Sequence, residues 1–227
     1  MTPIGLLLRR NHVGKMLRRC RRRTAWAGLG VVLSALVASG ANCGTPVPGG
    51  APVLVDSDHV LGSPDAPVTV FEYANLRCSH CRDFATTQFS TVRQRYIDTG
   101  QVRWIYRHLI LMSDEDLVRA ACASECAADQ GKYTEYLDLL YQNPDQFSAD
   151  SLKQFASDLN LDRSAFDACL DSGSQVARVQ QDVDSALALG LNATPQFFVN
   201  GESILGYQTA DALGAVIDRH LSDSGGP

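Results

Sequence analysis

The sequence predicts an α/β domain interrupted by a block of helices, and three observations carry that expectation. Two apolar, β-rich runs, "APVTVFEYANL" and "QVRWIYRHLIL", enclose one helical run. Five consecutive segments of helical character follow them, without strand character. The β pattern then returns at "PQFFVNGESILGY", and the chain closes on a further helix. A strand–helix–strand order of this length implies a parallel, right-handed crossover. The helical block therefore reads as an insertion into one α/β domain.

Residues 1–43 stand apart by charge. They hold eight basic residues and no acidic one, which leaves 12 Lys and Arg against 25 Asp and Glu for the remainder, a net of −13. The basic cluster runs into "TAWAGLGVVLSALVASGA", the layout of a secretory signal with cleavage after Gly40 or Ala41. The same run nearly reaches the roughly 20 apolar residues of a membrane span, so a retained anchor stays open beside a cleaved signal. Asn42 stands against lipidation at Cys43, and Cys20 belongs to the leader. Either way the folded part works outside the cytoplasm, where disulfides persist: exported, periplasmic or in the cell envelope. No basic stripe suited to nucleic acid exists beyond the leader.

Residues 44–58, opening on the uncharged, Pro/Gly-rich "GTPVPGGAP", read as a flexible linker, with order expected from near Leu54. In "APVTVFEYANL" the near-continuous apolar run marks a strand buried on both faces. Phe84, Phe89, Val92 and Tyr96 recur at near-helical spacing before Gly100 ends their helix. Residues 113–190 hold the helical block, where Ser113 and Ser148 read as N-caps followed by acidic residues. Asn200-Gly201 between two short apolar runs is a hairpin signal, and Thr209 caps the last helix.

The chemistry sits in "FEYANLRCSHCRDF", residues 71–84. A haem attachment site needs His after the second Cys, and Arg82 stands there. A structural zinc site needs four ligands; the other cysteines of the exported part, Cys122, Cys126 and Cys169, lie in the helical block, and no second Cys-x-x-Cys exists. No metal is expected. Cys78 lies where a strand gives way to a helix, and unsatisfied backbone N–H groups there favour an anion. A thiolate so held is populated near neutral pH, and His80 can add a charge or a donor to the same sulfur. Stabilising the thiolate stabilises the reduced protein, which makes the disulfide the stronger oxidant. Cys81, one turn further in, reads as the more buried, resolving thiol. Arg77 and Arg82 read as solvated surface charge. Glu72 shares a strand face with Val68 and Val70, so it is expected to be buried with a raised pKa, able to pass a proton to the resolving thiol. Trp104 and His108, on the second strand, read as packing residues. In the block, either Cys122 or Cys126 could pair with Cys169, stapling two helices.

"LGSPDAPVTVFEYANLRCSHC", "AADQGKYTEYLDLLY", "FDACLDSG" and "ATPQFFVNGESILGY" together resemble the DsbA-like branch of the thioredoxin superfamily over about residues 59–221. The resemblance implies a thioredoxin fold divided into 59–112 and 191–223 by the insert. It also implies dithiol–disulfide exchange with other proteins and no cofactor. By the same resemblance Cys78 attacks, Cys81 resolves, and Glu72 is a buried acid that relatives also carry. Thr194-Pro195 then carries a cis peptide bond facing the redox pair, at the substrate-binding edge, and the family pattern favours a structural Cys126–Cys169 bridge. Cys122 is left as a small buried apolar residue.

The expected activity is oxidation of reduced secreted proteins or peptides, with a quinone-linked membrane thiol oxidase as partner for reoxidation and a monomer as the working state. Thr194 departs from the Val of the best-known oxidases of the family and matches isomerase-type relatives. An isomerase or reductase is therefore the first alternative, and a non-catalytic metal or peptide carrier the second.

Overall fold

The computed structural model describes residues 50–112 and 114–224. The expectations on the leader, on Cys20 and Cys43, and on Ser113 as a cap lie outside those residues. Among the described residues no helix is long and apolar enough to cross a membrane.

The strand buried on both faces is β2, Val68–Ala74, at the centre of a five-stranded sheet ordered β1-β3-β2-β4-β5. β3, Val102–His108, runs parallel to it with Val68 opposite Val102 and Ala74 opposite His108. β4, Gln196–Val199, runs antiparallel on its other side, with β5, Glu202–Leu205, outside it. The hairpin between them turns at Asn200 and Gly201, both at positive φ as such a turn requires. Asn200 also stitches the turn to β2, its Oδ1 accepting from Thr69 N at 2.8 Å.

The expected crossover helix is broken. α1, Ser79–Thr87, stops at Gln88; α2, Phe89–Val92, follows and runs into a π-helical turn at Arg93–Ile97. Gln88, at φ −115° between the two helices, has its side-chain Oε1 accepting from the N–H of Ala210, at the start of the final helix. Spacing alone does not reveal that distant partner. Phe84, Val92 and Tyr96 are nevertheless buried, as their spacing predicts, against Val68, Val70 and Trp104 of the sheet.

One strand was not expected: β1, Val60–Leu61, pairs antiparallel with β3 at the sheet edge. Two residues carry no periodicity, which is why pattern reading passes over it. Gly62, just beyond, is obligatory: a Cβ there would lie 2.6 Å from Val102 O. Of the stretch expected as a linker, residues 53–58 are fastened down. The buried Arg107 guanidinium donates to both Asp58 carboxylate oxygens, at 2.8 and 2.6 Å, and to Val53 O at 2.7 Å. A buried cation needs such partners, and the sheet draws them from this segment.

Five helices fill the inserted block: α3 (Glu115–Ala128), α4 (Tyr133–Gln142), α5 (Ala149–Asp158), α6 (Arg163–Ser172) and α7 (Val176–Ala188). The cap of α3 is Asp114, which accepts from Leu117 N; Ser148 caps α5 as expected. The Cys126–Cys169 disulfide joins α3 to α6 with Cα atoms 5.9 Å apart, and Cys122 stays a free, buried thiol. α8, Ala210–Ser224, is capped by the Thr209 hydroxyl and packs on the same sheet face as α1 and α2. The opposite face, carrying Phe71, Tyr73 and Ile105, packs against Ala186 of α7.

Candidate active site

The site forms where β2 ends. Asn75 organises the turn: its Nδ2 donates to Leu109 O at 2.9 Å, its Oδ1 accepts from Arg77 N at 2.8 Å, and its carbonyl accepts from Cys78 N at 3.0 Å. The turn delivers Cys78 as the N-cap of α1, in extended geometry and half-buried. Cys81 lies one turn on, fully buried.

The two thiols differ in their electrostatics. Burial pushes the Cys78 thiol up, but the Thr194 side chain, the Cys81 backbone N–H, the Cys81 thiol and the His80 backbone N–H bond to its sulfur, and the balance holds it below the usual thiol range. For Cys81 burial dominates, and the nearby Cys78 and Glu72 charges add to it, so its thiol is held far above that range. The His80 side chain is exposed, and its backbone N–H reaches the Cys78 sulfur. Arg77 is exposed, as expected, and there it pairs with Asp114 at 2.8 Å and lies 5.0 Å over the Phe147 ring.

Thr194-Pro195 carries the cis peptide bond and faces the pair: in its thiol form Cys78 donates to Thr194 O at 3.5 Å. Pro195 is buried at the head of β4, where its carbonyl accepts from Gly206 N.

Glu72 is 4% exposed, on the face of β2 that alternation assigns it. Burial pushes its carboxyl up to about 8, against a hydrogen bond from Trp104 Nε1 at 3.2 Å that pulls it down. Trp104 is thus more than a packing residue. The parallel register sets Val70 opposite Trp104 and Glu72 opposite Tyr106, which brings the indole diagonally onto Glu72. Period-two alternation along β3 was the available signal, but it needs the register to become a contact. His108 is buried with Nε2 3.1 Å from Ser124 Oγ, and burial pushes it down to about 4, which keeps it neutral. Among the described residues no group of three or more His, Cys, Asp or Glu side chains converges as a metal set would.

A dithiol whose outer thiol is held below the usual range and whose inner thiol is held above it, with a buried acid titrating at about 8 behind them, can exchange disulfides. Comparison with known proteins fits that chemistry. The family model described as Thioredoxin matches residues 55–219. The structure is similar to alpha-DsbA1 of Wolbachia pipientis, at TM-score 0.67 and 28% identity, over 76% of this chain and 94% of that one. It is also similar to oxidised BdbD of Bacillus subtilis, at TM-score 0.68 and 25% identity, over 77% of this chain and 97% of that one. Among curated sequences the chain is similar to the Na(+)/H(+) antiporter NhaA 3 of Salinispora tropica, 38% identical over 167 residues. That match covers 73% of this chain but 25% of the antiporter, so the chain spans about a quarter of the length of the curated relatives it matches.

Proposed function

The chain belongs to the thioredoxin superfamily, in its DsbA-like branch of thiol–disulfide oxidoreductases, and from that premise we propose that it is an exported oxidase that places disulfides in reduced secreted proteins or peptides. The observation that carries the direction is the unequal pair: a Cys78 thiol held low and a Cys81 thiol held high. Energy that stabilises the Cys78 thiolate exists only in the reduced enzyme, so it favours reduction of the enzyme and oxidation of its substrate.

The cycle starts from a Cys78–Cys81 disulfide. A substrate thiolate attacks Cys78 Sγ, forming a mixed disulfide and expelling Cys81 as a thiolate. Cys81 cannot remain an anion in its buried site, and Glu72, a carboxylic acid up to about pH 8, hands it a proton. A second substrate thiolate then attacks its own mixed-disulfide sulfur, and Cys78 leaves as the thiolate that the amides and Thr194 stabilise. The substrate loses two electrons and the enzyme gains them as a reduced pair. Substrate chain docks at the Thr194-Pro195 edge, beside Cys78. Reoxidation falls to a quinone-linked membrane thiol oxidase, and the basic, apolar leader supports export.

Titration of the Cys78/Cys81 pair against a glutathione redox buffer tests the direction. The expected reduction potential lies well above the value of about −270 mV typical of thioredoxin. A value at or below that figure would make the protein a reductase, the reading that Thr194 favours within the family.

A further inference from the structure

A cavity of about 540 Å³ opens on the Glu72 face of the sheet, and neither Cys78 nor Pro195 lines it. Its walls come from β1, from the sheet face around Glu72, from the α1–α2 region and from α4. The volume is that of small-molecule pockets. Five aromatic side chains stand among its lining residues. Phe89 and Trp104 lie 5.2 Å apart by centroid, and Tyr106 stands 6.4 Å from both Tyr133 and Tyr141.

Charge sharpens the picture. Most ionisable side chains at the walls are already engaged: Arg93 with Asp98, Glu135 with Lys132, His59 with Glu125, and Asp58 with Arg107. Two carboxyls are in no ion pair among the described residues: Glu72, buried at the floor, and Asp138, exposed at the wall within the field of Arg93. Tyr133, 9% exposed, completes the set with a buried Oη that has no hydrogen-bond partner. A buried hydroxyl is costly to leave unpaired. Aromatic faces, two unpaired carboxyls and one orphan hydroxyl are complementary to a cation over the rings with a polar atom beside it.

We propose that this cavity is a binding site for a small organic cation of the substituted-ammonium class that carries a hydroxyl or other hydrogen-bonding group. The ammonium lies against Trp104, Tyr106 and Tyr133, is balanced by Asp138 and, where it ionises above about pH 8, by Glu72, and its polar group meets Tyr133 Oη. The site borders Glu72 and not the dithiol, so occupancy adds a cation next to the acid behind Cys81. The inference stands on the cavity itself and is independent of the direction of disulfide exchange.

Trp104 reports directly on occupancy. The sequence has two tryptophans, so Trp26→Phe in the full chain leaves Trp104 as the single fluorophore. The probes are choline and its uncharged isostere 3,3-dimethylbutan-1-ol, titrated at pH 8. Choline is expected to give a saturable change in Trp104 emission with an affinity about tenfold or more above the isostere. Asp138→Asn should weaken choline several-fold without altering disulfide exchange, and Glu72→Gln should weaken it independently. The absence of a saturable response, equal affinity for the two probes, or indifference to both substitutions would overturn the assignment.

Discussion

Replacing Glu72 by Gln should make the protein more stable, by an amount that depends on pH. In the folded protein the carboxyl is fully buried and titrates at about 8, whereas a free one titrates near 4.5. Between those values the unfolded chain has released this proton and the native state retains it. Stability therefore falls as pH rises through that window, at about 1.4 kcal/mol per pH unit. Across the window the cost approaches about 5 kcal/mol, an upper figure because local rearrangement and water entry reduce it. Gln removes the titration, and its amide oxygen can still accept from Trp104. The assay is guanidinium denaturation of the reduced wild type and Glu72→Gln at pH 5 and pH 8. Only the difference between the two proteins is diagnostic, because His108, held near 4, and Asp182, held near 6, also titrate. The variant should gain on the wild type by a few kcal/mol between the two pH values. Parallel stabilities would show that Glu72 is ionised or solvated in the fold, and the proton transfer to Cys81 would lose its donor.

Three further outcomes follow from the same structure. Cys81→Ser should accumulate mixed disulfides when its Cys78 thiolate attacks a disulfide-bonded substrate and expels one substrate thiolate, visible by non-reducing electrophoresis, while Cys78→Ser should form none. Removing the 43-residue loop closure with Cys126→Ser and Cys169→Ser together should cost up to about 4 kcal/mol of stability, and the reduction potential of the Cys78/Cys81 pair should not move. Asp58→Asn should destabilise the fold by roughly 3 kcal/mol or more in thermal or denaturant unfolding, because it leaves the Arg107 guanidinium buried without its carboxylate.

Much of the site could be read in the chain because local rules govern it. Cys78 is an N-cap because a strand gives way to a helix within three residues, and Glu72 is buried because strand side chains alternate. The cis bond before Pro195 and the Cys126–Cys169 bridge came from the family resemblance, where spacing alone left Cys122 and Cys126 equivalent. What escaped the sequence reading was long-range. Trp104 meets Glu72 through strand register, Gln88 breaks a helix to cap one 122 residues away, and Arg107 reaches back 49 residues to Asp58. At the dithiol, the His80 backbone amide, which any residue would supply, also reaches the Cys78 sulfur.

The sequence by itself determined the order of elements, the place of the insert and the position of the candidate dithiol, because periodicity, caps and turn residues act over a few positions. Only the tertiary structure decided how far each thiol, the acid behind them and the aromatic cavity depart from ordinary behaviour. Those properties follow from desolvation and from partners on distant strands and helices, and no local pattern encodes either.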